Sequence, residues 1–430
     1  MCIIQAIALN QRDNTSPSQV PAPKGAIHWT SVLQLGFSLL GALALWSVAA
    51  LLAVGGFVQQ YLPEGAPDEV LPYFLLAAGA ALCGFLLLPG VVYAFRRLSG
   101  LPPKPLVRLP LWLRPTLLIF ALPLLLLLGN WVYARGQLAW LLLPPVHALS
   151  VGLPILWFVH LALLDLSAGS SQRRWGVFSV GLVLAPAVIF FFEILFALAL
   201  FLVWSFWVSA RPDLMNEFTD LVQRLEQARI SSEELLEILK PYIAQPAVIF
   251  ASLAYFSLLV PLVEEFSKSL GVWFLANRNL SPPGGFAAGV LGGAGFALAE
   301  SLALTSTGAG WALAVFTRIG TGVVHILASG LLGWALARAW GQGKYLHLGA
   351  AYLLAVLFHG TWNTLSVLLV LSYLPGVLND VDLVFLSAIQ GELIPYALAL
   401  LALLAFLSIL AMNRTLYRQS EIQASSADVV

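Results

Sequence analysis

Long apolar runs dominate this chain, separated by short polar or Pro- and Gly-rich breaks. Crossing a bilayer as a helix takes roughly 20 apolar residues. Ten runs reach that scale: residues 32–58, 72–95, 115–134, 138–164, 176–208, 246–276, 284–306, 311–338, 348–371 and 392–412. The fourth and fifth are longer than a crossing needs and are expected to tilt or kink, with Pro144, Pro145, Pro154 and Pro186 as the places to do so. The fold class predicted is all-α, a polytopic membrane helix bundle of about ten transmembrane helices.

Composition agrees. The chain is 60% hydrophobic and only 10% charged, against about 25% charged in a soluble domain. The formal net charge of zero gives no electrostatic footprint for nucleic acid. Two cysteines, Cys2 and Cys83, supply neither a disulfide framework nor a thiolate metal site. Basic residues in short loops set the orientation. Arg96, Arg97, Lys104, Arg108 and Arg114 lie in one such loop, and Arg173, Arg174, Arg278, Arg338, Lys344, Arg414 and Arg418 in others. All fall on one side of the membrane when both termini are cytoplasmic, which predicts a multi-pass protein of the plasma (inner) membrane. Residues 210–245 then lie outside. Leu214, Phe218, Leu221 and Leu225 recur there at helical spacing, and Ser231 to Glu234 read as a capping box opening a second short helix. This segment reads as an interfacial hairpin or, more sharply, as a lid above the fifth and sixth spans.

Five acid–base groups interrupt four consecutive spans: Glu264 and Glu265, then Glu300, then His325, then His359. One carboxylate at the centre of a membrane helix costs about 2.5–3.5 kcal/mol on insertion scales, so two side by side need a reason. Glu264 and Lys268 are four apart and are expected to pair, whereas Glu265 is turned about 100° away. Pro261 removes a helix hydrogen bond just before the pair and is expected to kink the helix. In the next span Gly285, Gly289 and Gly293 form a small-residue ridge, with Phe296 and Glu300 continuing the same face. Arg318, Gly322, His325, Ser329 and Gly333 form one stripe, and His359 and Asn363 share another face. Two imidazoles and a carboxylate are a common zinc set with a fourth position for water. A metal there would activate the water, a further carboxylate would move its proton, and Asn363 could donate to an oxyanion. That inventory fits amide hydrolysis within the membrane. It contains no HExxH helix.

These residues resemble a known family. Glu264-Glu-Phe-Ser-Lys268 is similar to the EExxK motif of the PrsW family of intramembrane proteases, and Phe296-Ala-Leu-Ala-Glu300 to its FxxxE motif. His325-Ile-Leu-Ala-Ser329 and His359-Gly-Thr-Trp-Asn363 resemble its two histidine motifs. The last also looks like the HxxxN motif of the CAAX-processing and bacteriocin-processing membrane endopeptidases. One departure stands out: members often carry Asn directly after the FxxxE glutamate, and here the residue is Ser301. The resemblance implies a glutamate-dependent, metal-assisted endopeptidase acting on a membrane-anchored protein or peptide. Its catalytic candidates are Glu264 as base, Glu265 as support, Glu300, and Asn363 at the oxyanion. Its metal candidates are His325, His359 and Glu300, for a divalent ion, zinc first.

The chain then divides into a disordered cytoplasmic leader (1–30), a five-helix membrane region (31–209), an extracytoplasmic amphipathic segment (210–245), a catalytic four-helix core (246–371), and a last span with a polar tail (372–430). The rival reading is a proton- or ion-coupled transporter, since intramembrane carboxylates and histidines also make ion paths. Glu193, in the fifth span, fits that reading and is not used by the protease one. A transporter more often shows two related halves, and residues 1–210 and 246–412 show no repeat.

Overall fold

The computed structural model describes residues 28–61, 67–102, 115–136, 138–227, 232–276, 278–303, 310–373 and 391–427. Nearly all of the leader, Lys104, Arg108, Arg114 and Ser231 lie outside the described residues. Among the described residues the structure is helical: α1 (Trp29–Gln60), α2 (Pro67–Leu98), α3 (Leu122–Arg135), α4 (Ala139–Ala162), α5 (Ser171–Ser209), α6 (Pro212–Gln227), α7 (Ser232–Ile243), α8 (Pro246–Trp273), α9 (Pro282–Ala303), α10 (Trp311–Gln342), α11 (Tyr345–Tyr373) and α12 (Ile394–Ala427). Nine of these are long and apolar enough to cross a membrane; the third apolar run instead forms a shorter helix over Ile119–Arg135. A 3₁₀ turn at Ile119–Ala121 tightens its start, immediately before Pro123.

The described residues cluster into two compact units. The first draws on Met1–Pro186, Glu265–Ala355 and Ala402–Val430, the second on Ala187–Glu264 and Val356–Leu401. The division falls between the two consecutive glutamates.

In the first unit the packing centre is α9 with α10. In each, 83% of the most apolar window is buried, against 17% for α1. The glycine ridge explains how two helices come this close. A Cβ on Gly289 would sit 2.0 Å from the Ser329 carbonyl oxygen, and one on Gly285 would sit 2.3 Å from that of Gly333. Backbone therefore meets backbone along the seam, which only small residues allow. The opposite side of α9 makes a second such seam, with Gly292 against Gly181. Gly181 lies in a π turn, Val180–Leu184, where the Ala185 N–H reaches back five residues to Val180. Pro186 follows two residues later. It has no N–H to give, and its ring excludes the ordinary helix contact, so the kink expected at this proline takes the form of a π turn just before it. α4 closes the unit against α9 and α10, and the Trp311 indole there donates to His147 Nδ1 at 3.2 Å.

In the second unit the same grammar recurs. A π turn at Tyr255–Leu259 precedes Pro261, with the Val260 N–H bonded to the Tyr255 carbonyl. The amphipathic helices α6 and α7 also lie in this unit, and Trp204 of α5 meets Phe218 of α6 edge to face at 4.8 Å.

The α9–α10 seam makes a prediction. Gly289→Ala forces the helices apart and should destabilise by about 1–3 kcal/mol, read as a lowered Tm in detergent. Gly36→Ala, with nothing within 4 Å of the added methyl, should leave Tm unchanged or raise it.

Candidate active site

Lys268 is the centre of a charged cluster in the first unit. It is fully buried, as are Glu265 and His325. Its ammonium nitrogen is 2.8 Å from Glu265 Oε1 and 2.8 Å from His325 Nδ1, and lies 4.4 Å from the centroid of the Phe296 ring. Sequence spacing paired this lysine with Glu264, four residues back; its carboxylate partner is Glu265, three back. Both spacings are neighbours on a helix, and the contact with His325 on α10 decides between them. The network continues outward. His325 Nε2 is 2.7 Å from Glu300 Oε2, and Arg318 Nη2 is 2.6 Å from that same oxygen. Arg318 Nε donates to Ser301 Oγ at 3.2 Å. The order Glu265–Lys268–His325–Glu300–Arg318 places each charge beside its opposite or a neutral ring. Phe296 stands edge-on to His325, their centroids 5.1 Å apart. The FxxxE motif thus supplies two walls of one pocket of charge.

In the second unit Glu264 and His359 are both buried, with Oε2 and Nε2 3.7 Å apart. That is longer than a hydrogen bond, which runs to about 3.2 Å. His359 lies one turn before Asn363, and α11 is anchored there on the π turn. In a regular helix the Ser257 carbonyl would accept from the N–H of residue 261, and Pro261 has none to give. That carbonyl instead comes so close to Gly360 that a Cβ there would sit 2.1 Å from it. Asn363 Nδ2 donates to the neighbouring Phe256 carbonyl at 2.9 Å, and the Thr364 and Ser257 hydroxyls are 2.8 Å apart. Asn363 therefore satisfies backbone released by the turn. An amide carries two hydrogens, so this bond positions the group while the second stays available to another acceptor. Glu193 lines a small crevice with Ile189, Tyr255, Leu259 and Val260.

From the sequence, Glu300 is expected on the inward glycine face, Arg318 and His325 on one stripe, and His359 and Asn363 on another. The π turn was not foreseen, although Pro261 pointed to Ser257, nor was the grip of Arg318 on Glu300 and Ser301.

The class of protein is clear from this: a multi-pass helical membrane protein with paired acid–base groups buried among its helices. Residues 232–389 match a family model described as PrsW family intramembrane metalloprotease. The matched residues include Glu264, Glu265, Glu300, His325, His359 and Asn363. No curated protein and no solved structure matches the chain.

Removing one partner of a buried ion pair costs about 3–5 kcal/mol, because a charge is left uncompensated. Lys268→Met should therefore destabilise strongly, and adding Glu265→Gln should recover part of the loss. A double-mutant cycle on unfolding in detergent should give a coupling of about 1–3 kcal/mol; additive losses would count against the pairing.

Proposed function

We propose that the protein is an intramembrane endopeptidase that hydrolyses a peptide bond of a membrane-anchored protein or peptide. The observation that carries this reading is that the family match spans Glu264, Glu265, Glu300, His325 and His359 together. Glu264 is the general base. Its carboxylate lies near the His359 imidazole, so a water beside the pair has an acceptor for its proton and a ring to orient it. The water oxygen adds to the scissile carbonyl carbon while its proton passes to Glu264. That proton then goes to the leaving nitrogen as the C–N bond breaks. The second amide hydrogen of Asn363 donates to the oxyanion. Glu265 supports: it holds Lys268, and Lys268 holds His325. Glu300 acts through His325.

The family description and the donor set both point to a divalent metal, zinc first. The buried imidazole and carboxylate of the second unit fit one. Ligands about 2.0–2.1 Å from a tetrahedral zinc lie roughly 3.3 Å from each other, near the 3.7 Å observed. His359 would hold the ion, with Glu264 placed to share it or to take a proton from its water. When bound, the ion supplies Lewis acidity and a water of lowered pKa. His325, in the first unit, already has both ring nitrogens engaged, Nε2 with Glu300 and Nδ1 with Lys268. We place the protein in the plasma membrane with both termini cytoplasmic, from the distribution of Lys and Arg.

Mapping new protein N-termini in membranes from producing cells tests the activity without a known substrate. Termini within or beside membrane spans should appear with the wild-type protein and disappear with Glu264→Gln and with His359→Ala, both folded and inserted. The same termini from both variants would overturn the assignment. Purified protein should carry about one zinc per chain, lost in His359→Ala. No metal, no new termini and proton-coupled solute flux in liposomes would favour a carrier built around Glu193.

A further inference from the structure

Arg318 belongs to none of the four motifs, and the hydrolytic scheme leaves it without a part. It lies on α10 two turns before His325, on the stripe that faces α9. Its guanidinium holds two consecutive residues of α9, with Nη2 2.6 Å from Glu300 Oε2 and Nε donating to Ser301 Oγ at 3.2 Å. Only 11% of the side chain is exposed. The oxygen it holds is the one that meets His325 Nε2 at 2.7 Å.

The other ring nitrogen settles what this means. Lys268 Nζ is 2.8 Å from His325 Nδ1, and an ammonium has hydrogens to give but no lone pair to receive one. His325 Nδ1 is therefore the acceptor. Nε2 carries the hydrogen and donates it to Glu300. Both ends of the ring specify one tautomer, and which nitrogen is protonated is set by the partner of the other. At the Glu300 end, the specification holds only while that carboxylate stays in place and keeps its charge compensated.

We propose that Arg318 is a positioning residue of the site: its fork on Glu300 and Ser301 fixes the carboxylate that selects the Nε2–H tautomer of His325 and aims Nδ1 at Lys268. Ser301 is the second anchor, at the position where family members often carry asparagine. What this role needs is a cation beside Glu300, which a lysine can also supply, with the bond to Ser301 steadying the arginine in place. Removing it leaves Glu300 facing a neutral ring as an uncompensated, partly buried charge that is free to turn. The inference rests on the protease reading only for its effect on rate; the effect on His325 stands apart from it.

The test is solid-state ¹⁵N NMR of histidine-labelled full-length protein in lipid bilayers, with the His325 signals identified by their loss in His325→Gln. The wild-type protein should show one species, protonated at Nε2 and bare at Nδ1. Arg318→Gln should shift His325 to a mixture or to the other tautomer, and Arg318→Lys should keep the wild-type pattern. On a membrane-anchored peptide taken from the mapped cleavage sites, Arg318→Gln should lower kcat by about 10- to 100-fold, the usual cost of losing an outer-shell partner. KM should hold, and Arg318→Lys should restore most of the rate. An unchanged tautomer in Arg318→Gln overturns the proposal, as does Arg318→Lys being as damaging as Arg318→Gln. A shifted tautomer with undiminished cleavage overturns the positioning role in the reaction. Should Arg318→Gln not fold, Ser301→Ala removes only the 3.2 Å bond and carries the same NMR test with the same overturning result. A wild-type protein that cleaves nothing overturns the protease reading, while the tautomer shift still decides what Arg318 does to His325.

Discussion

A lysine ammonium with no exposed surface, in the middle of an apolar run, is the constraint on which the rest of the first unit depends. Lys268 can hold its charge there only if the protein surrounds it with acceptors. It meets a carboxylate from its own helix, an imidazole from α10 and a ring face from α9. Three helices must therefore converge within a few ångströms, and two of them carry glycines where they touch. With Ala in place of Gly289, α9 and α10 would have to part, and the Glu300–His325 contact at one end of their seam would open with them. The ionic chain and the small-residue seam are one device seen from two sides.

The second unit solves a different problem. Pro261 interrupts a membrane helix just before Glu264, and the carbonyls it releases have no water to turn to. α11 answers with Gly360, which lets the Ser257 carbonyl approach, and with Asn363, which donates to Phe256. His359 sits one residue before that glycine. The HxxxN spacing thus reads physically: one end sets a ring beside Glu264, and the other is pinned to the backbone just upstream of that glutamate. The π turn before Pro186 shows that this fold uses the same kink twice, each time where a glycine lets another helix come close.

Much of this was legible from residue order. Apolar runs gave the helices, Gly285, Gly289 and Gly293 gave the face of α9, and the isolated charges marked where the site would be. What was not legible is tertiary in origin. Glu264 and Glu265 are equally plausible helical partners for Lys268, and only the ring of His325, far away in sequence, draws the lysine toward the second. Pro261 announces that the carbonyl of Ser257 will be released, but not which side chains from α11 will gather around it. Arg318 stood in the right stripe, yet its partner Ser301 belongs to another helix. The third apolar run had the composition of a span; it starts with a single α-helical turn, Pro115–Leu118, passes through the 3₁₀ turn and gives a shorter apolar helix.

The central claim is a division of labour between two adjacent carboxylates: Glu264, beside His359, does the chemistry, and Glu265, bound to Lys268, holds the helices. The most direct measurement sets Glu264→Gln against Glu265→Gln, recording for each the Tm in detergent and the cleavage rate per folded molecule. Glu264→Gln should keep the wild-type Tm and lose cleavage. Glu265→Gln should lower the Tm and retain measurable cleavage in the molecules that stay folded. Full cleavage by Glu264→Gln, or an unaltered Tm with cleavage abolished in Glu265→Gln, would contradict the account.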